Sequence, residues 1–244
     1  MIHLFAFIIG CCIGSFINVI FSRNDWHKGR SRCDACGYTL KWYDMIPIIS
    51  YVFLRGKCRK CGKKIEKSHI ISELIMGAAF LCSSFYMEQY GMVQGVICFV
   101  SLFFIAIAAI EDYKEQMVYS LILYTGQTAV FLCTFIQYIF LEEYTGVIIF
   151  ACLVLASKII FMLLSKIFKN QIGSGDFDVL LIILMLCGVY GMFVSLTAGC
   201  IIGCLVYYPP IILKKQVKTQ PIAFIPLLFI GSLLYIALEW SVIF

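Results

Sequence analysis

Long apolar runs follow one another along most of the chain, joined by short polar connections, and only one polar stretch, 23–69, is longer than a loop. A helix needs about 20 apolar residues to cross a bilayer. Runs of that order predict spans at about 2–22, 70–87, 93–111, 117–140, 146–165, 178–193, 195–213 and 221–243. The pattern is that of an all-α polytopic membrane protein with about eight transmembrane helices and a small insert between the first and second. Three parts follow: a first transmembrane helix at 1–22, the insert at 23–69, and a seven-helix membrane core at 70–244. The division of the run 178–213 is expected near Val194, with Gly188 and Gly191 marking a turn. No basic segment precedes the first run and no small-residue cleavage site follows it, so it is expected to stay as a span.

Composition supports this reading. Of the 244 residues 62% are hydrophobic and 14% charged, where soluble domains run at roughly 45–50% and about 25%. A soluble domain and a disordered chain are both excluded on that ground. Charge adds orientation. The stretch 23–69 holds 12 of the 19 Lys and Arg. With that stretch on the cytoplasmic side, Lys114, Lys166, Lys169, Lys214, Lys215 and Lys218 also fall inside, and Glu88, Glu142 and Glu143 fall outside. Only Lys158 then lies within a span, and the loops obey the positive-inside rule. A multi-pass protein of the bacterial inner membrane is expected, with both termini outside. Contact with anionic lipid is the expected role of the basic insert, and no nucleic-acid partner is expected.

Within the insert, Cys33-Asp-Ala-Cys36 and Cys58-Arg-Lys-Cys61 are each followed by glycine, Gly37 and Gly62. Four thiolates so presented suit a tetrahedral zinc ion. Disulfides and unligated thiols are the alternatives, and a reducing cytoplasm disfavours the first. A closed four-sulfur site leaves no open position for water, so a zinc ion there is structural. It would supply folding free energy that so short an insert cannot gain from a core of its own. His27 and His69 are ligands by type, but four sulfurs fill the shell.

Ionisable groups at the edge of a span are costly and so become candidates for function. Asp112 closes the apolar run 96–110, beside Glu111, and Asp176 stands in Gly173-Ser174-Gly175-Asp176 just before the run beginning at Val179. Both are expected at the cytoplasmic ends of their spans, the placement that a two-carboxylate site requires. Two close carboxylates share one proton and can work as base and acid in turn, as in aspartyl proteolysis. The glycines before Asp176 would allow close backbone approach. The plainer alternative is that Asp176 caps a helix. Glu111, Glu115 and Asp178 compete as partners, and Glu73, about one turn into the second span, is expected to pair with a basic residue of the insert. A transporter or ion pathway using these carboxylates is the alternative from another class.

The chain resembles the type IV prepilin peptidase family along essentially its whole length. Gly14-Ser15-Phe16-Ile17-Asn18-Val19, Ser31-Arg32-Cys33 to Cys36, Ile46-Pro47-Ile48-Ile49-Ser50-Tyr51, Leu54-Arg55-Gly56-Lys57-Cys58 to Cys61, Glu73-Leu74, Gly173-x-Gly175-Asp176 and Ile222-Ala223-Phe224-Ile225-Pro226 follow its motifs in order. The resemblance implies a membrane aspartyl endopeptidase of the GxGD type, with Asp112 and Asp176 catalytic and Cys33, Cys36, Cys58 and Cys61 on zinc. It would cut a short basic leader from a type IV prepilin or pseudopilin on the cytoplasmic side. It also implies N-methylation of the new terminus with S-adenosylmethionine, although no soluble-type cofactor motif is visible. The chain departs from the family pattern twice. Tyr119 stands seven residues after Asp112, where the family has proline, and Asp178 stands two after Asp176, where the family often has lysine. A non-catalytic paralogue is the reading these departures leave open.

Overall fold

A computed structural model describes residues 1–22, 31–33, 35–167, 173–212 and 222–242. Its helices are α1 (Ile2–Ser22), the short α2 (Ile49–Phe53), α3 (Lys67–Tyr90), α4 (Met92–Glu115), α5 (Ser120–Phe140), α6 (Tyr144–Ile167), α7 (Ser174–Ile212) and α8 (Ile225–Val242). A single 3-10 turn covers Trp42–Asp44. Six of the helices are long and apolar enough to cross a membrane, and Ile225–Glu239 is a shorter apolar helix. The all-helical fold with an insert between the first two spans is therefore as expected.

The seventh helix departs from expectation in one respect. The turn foreseen near Val194 lies instead at Gly188, whose φ 68° and ψ −176° divide the run Ser174–Ile212 into two helical segments. Only glycine takes that conformation without strain. Val194 is in regular helix on the far side of it.

The chain forms two compact units, Met1–Leu81 and Cys82–Phe244. In the first, the start of α3 lies against α1 so closely that a Cβ on Gly14 would come within 2.5 Å of the Ser72 carbonyl oxygen. The insert contains two copies of one ten-residue knuckle. Leu40 N–H donates to Ser31 O, Cys33 N–H to Tyr38 O and Gly37 N–H to Cys33 O. In the second copy Ile65 N–H donates to Gly56 O, Cys58 N–H to Lys63 O and Gly62 N–H to Cys58 O. Isolated bridges Arg32–Thr39 and Lys57–Lys64 close the two. Gly37 and Gly62 have φ of 67° and 69°, and an added Cβ would touch nothing at either. Glycine is there for the left-handed turn, not for room. Arg59 of the second knuckle bonds the buried Asp44 carboxylate at 2.8 Å and lies 5.0 Å from the Tyr43 ring centre, which ties that knuckle to the 3-10 turn.

In the second unit α4 is the central helix. Ile105, Ala106, Ala108 and Ala109 are fully buried, and α4 packs on α5, α7 and α8. The distal half of α7 runs antiparallel to α8 along a stripe of small residues. Gly191 meets Tyr235, the Ser195 carbonyl meets Gly231, and Gly199 meets Leu227. Between apolar helices in lipid the hydrophobic effect gives no drive to associate, so close backbone approach and dispersion must supply it. Small residues every four positions allow that approach. α6 is the least buried span.

Candidate active site and metal centre

Asp112 lies in the last turn of α4, where a carboxylate opposes the helix dipole. Its partner resolves the conflict. Asp112 Oδ2 accepts the Ile225 N–H at 3.0 Å, with the Phe224 N–H also in range. These are unsatisfied donors at the N-terminus of α8, which Pro226 begins in the manner favoured for a first turn. Thus the segment 222–226, matched above only as a motif, presents backbone donors to Asp112.

Asp176 is in the first turn of α7, and its own N–H bonds Gly173 O at 3.1 Å. The plainer expectation, an acid at a helix start, is met in that position. Yet Asp176 also lies within electrostatic range of Asp112, so α4, α7 and α8 bring the two acids and the α8 terminus together. Gly175 makes no close backbone contact: an added Cβ would meet only Leu123 at an ordinary 3.5 Å. Gly173 would meet only Asp176 itself. Among the described residues, no helix approaches closely at these glycines.

The competing acids have other partners. Glu111 accepts the Tyr119 N–H at 3.3 Å, and its second oxygen is buried without a hydrogen bond among the described residues. Glu115 is exposed. Asp178 bonds Lys158 of α6 and Gln127 of α5. Gln127 was not foreseen. Lys158 and Asp178 were each conspicuous in the sequence, but nothing there linked them.

Glu73 was expected beside a basic residue of the insert. It is buried instead on the Ile48 N–H at 2.7 Å and the Ser15 hydroxyl. Ile48 has φ 60° and ψ −53°, and Ile49 N–H reaches back to Pro47 O. That is a γ-turn of the rarer hand at a β-branched residue, which costs of order 1–3 kcal/mol and persists only where neighbours enforce it. Glu73 is such a neighbour. Beside it lies a cavity of about 560 Å³ within the first unit, bounded among others by Ser15, Asp44, Tyr51, Arg59, His69 and Glu73.

The four knuckle cysteines converge. Their sulfurs all lie within 4.8 Å of one another, and Cys33 Sγ is 4.0 Å from Cys61 Sγ. A tetrahedron with Zn–S near 2.3 Å has edges of about 3.8 Å, so the set fits a metal ion with small adjustment. The N–H groups of Cys61 and Lys60 hold the Cys58 thiol down at about 6, in the thiolate form a metal requires. His69 is not part of the cluster; its Nδ1 lies 2.7 Å from Asn18 Nδ2. His27 lies outside the described residues.

These features define a multi-pass helical membrane protein with a four-cysteine cluster in an insert that could hold a metal ion, and with two acids within electrostatic range in its core. Residues 8–87 match the Bacterial Peptidase A24 N-terminal domain family. Among curated relatives, the prepilin leader peptidase/N-methyltransferase of Bacillus subtilis (strain 168) is 26% identical over 237 residues, 93% of this chain and 91% of that protein. Those of Myxococcus xanthus (strain DK1622) and Vibrio cholerae serotype O1 are 36% and 30% identical over 99 and 140 residues, covering 38% and 50% of this chain. These two matches span 30% and 53% of the relatives' own lengths. No solved structure matches the chain. The resemblance to the prepilin peptidases thus extends over nearly the whole chain, and its N-terminal third is the part similar to the A24 N-terminal domain.

Proposed function

We propose that this protein is a membrane aspartyl endopeptidase that removes the short basic leader of type IV prepilins or pseudopilins at the cytoplasmic face of the bacterial inner membrane, with Asp112 and Asp176 as its catalytic pair. The observation that supports the reading is that Asp176 lies within electrostatic range of Asp112, from a helix far away in sequence, while Asp112 accepts the Ile225 N–H at the N-terminus of α8. The names of the relatives support the substrate class. The concentration of basic residues in 23–69 supports the orientation.

The chemistry follows from the pair. One carboxylate takes a proton from water as the water attacks the scissile carbonyl, and the other gives its proton to the carbonyl oxygen. The tetrahedral intermediate then collapses, and the carboxyl that gained a proton passes it to the leaving amine. The Ile225 N–H fixes Asp112 in place for that exchange. An extended leader would run past Gly173 and Gly175. The cysteine site would hold zinc as a structural element of the insert and take no part in these steps.

A second activity is favoured by the cavity at Glu73. The relatives are also N-methyltransferases by name, and about 560 Å³ is within the range of small-molecule sites. S-adenosylmethionine would supply the methyl group there. The Glu73 carboxylate suits its cationic groups, and the exposed part of the Arg59 guanidinium suits its carboxylate.

The test is coexpression with a prepilin substrate and mass measurement of the product, for the wild type, Asp112→Asn and Asp176→Asn. Cleavage by the wild type alone is expected, with a product heavier by a methyl group. Cleavage by either variant would remove the aspartyl mechanism. A product without the added methyl would remove the second activity.

A further inference from the structure

Lys158 is the only basic residue that the charge pattern left inside a span, and its surroundings account for it. Its ammonium donates to Asp178 Oδ1 and, at 3.1 Å, to Gln127 Oε1. The same Gln127 side chain donates through Nε2 to Asp178 Oδ1 at 2.9 Å and to the Asp178 carbonyl at 3.1 Å. The ammonium also lies 5.1 Å from the centre of the Tyr124 ring. Four side chains from α5, α6 and α7 therefore close one polar cluster. Lys158 is nine residues from the end of α6 at Ile167, about 14 Å along the axis. The stem carries the charge to the first turns of α7, where the protein itself supplies the counterion.

What this cluster grips is the first turn of α7. Asp178 follows Asp176 by two residues, about 3 Å along the helix and 200° around it. The two acids thus leave the same turn on nearly opposite sides. Asp178 is held by α5 and α6, and Asp176 faces Asp112. From Val179 to Met185 every residue of α7 is buried and fixed by packing, so the half-exposed turn ahead of that run is the part whose orientation depends on side-chain contacts. A rotation of about 20° would carry a carboxylate lying about 6 Å from the axis through about 2 Å, and a displacement of about 1 Å at a reacting group costs on the order of 100-fold in rate.

We infer that the Lys158–Asp178–Gln127 cluster is a positioning device for Asp176: it fixes the orientation of the first turn of α7 and so sets the alignment of the two carboxylates. The kinetic part of this inference rests on the aspartyl protease reading. Its chemistry belongs to this chain, with an acid on α7 and its cation on α6.

The test uses the full-length protein in detergent or proteoliposomes, as wild type, Lys158→Met, Lys158→Arg and the double variant K158M/D178N. The double variant removes both charges and so leaves neither buried alone. Two quantities are measured: kcat and KM for prepilin cleavage, and the rate at which a hydrophobic carbodiimide labels Asp176, located by mass spectrometry. Lys158→Met and the double variant should lose about 100-fold in kcat with KM within about twofold. Lys158→Arg should keep kcat within about fivefold. The labelling rate of Asp176 should change severalfold in the first two and return in the third. Wild-type kcat in the double variant, or unchanged Asp176 labelling, overturns the inference. If the wild type cleaves nothing, the protease reading falls, and the labelling still decides the positioning role.

Discussion

The Ile225 N–H at the start of α8 is capped by Asp112 at the end of α4, 3.0 Å away. One carboxylate thus serves as a helix cap and as half of the candidate dyad, and the two duties can be separated. Asp112→Ala should lower stability by the cost of a lost cap, about 1 kcal/mol. Asp112→Asn keeps an acceptor oxygen and should lose less. Both should abolish cleavage. Thermal unfolding in detergent beside the cleavage assay checks this; equal stability of the two variants would mean that the Ile225 contact contributes nothing.

Tyr119 occupies the position where the family pattern has proline, and the structure explains why the exchange is tolerated. It precedes α5 with φ −67°, the value a proline ring imposes. What tyrosine adds is an N–H, taken by Glu111. Tyr119→Pro should lose about 1 kcal/mol for that bond and recover about 0.4–1 kcal/mol from a stiffer unfolded chain. Near-neutral stability and retained cleavage are expected. A loss above about 2 kcal/mol would assign the Glu111 bond a larger role.

Metal content is directly measurable. One zinc per chain is expected in the purified protein, and none in Cys58→Ser. Since the ligands are thiolates, binding releases protons from the cysteines that are still protonated, and affinity should weaken as the pH falls. Chelation should open 31–65 to protease while the spans stay intact. Unchanged proteolysis after complete metal removal would sink the structural role.

The contact of α7 with α8 predicts a sensitive glycine. A Cβ at Gly231 would collide with the Ser195 carbonyl, which is backbone and cannot swing aside. Gly231→Ala should destabilise by about 1–3 kcal/mol through overpacking. Gly203→Ala, which would meet only the movable end of Leu227, should cost less. Thermal midpoints of the two variants make the comparison.

The spans and the knuckles were legible in the sequence because each depends on local information. Hydropathy records the solvent around a helix, and C-x-x-C-G records a turn that thiol and glycine impose together. The break at Gly188 was half legible: glycine marked the region, but apolarity on both sides hid the position. Helix partners were not legible. Nothing near Asp112 announces Ile225, since a backbone N–H has no residue type. Lys158 and Asp178 each looked anomalous alone, and only the packing of α6 on α7 makes them a pair. Ile48 is least legible of all, because a β-branched residue is poorly suited to its φ of 60°, and Glu73 has to hold it there.

The two knuckles share one hydrogen-bond scheme over ten residues each. The insert is in effect a single small unit used twice, facing itself. Neither copy has a complete task alone, since four thiolates must agree on one point in space. Drift is therefore policed across the pair: an inserted residue that a surface loop would absorb becomes, in either copy, a lesion in both.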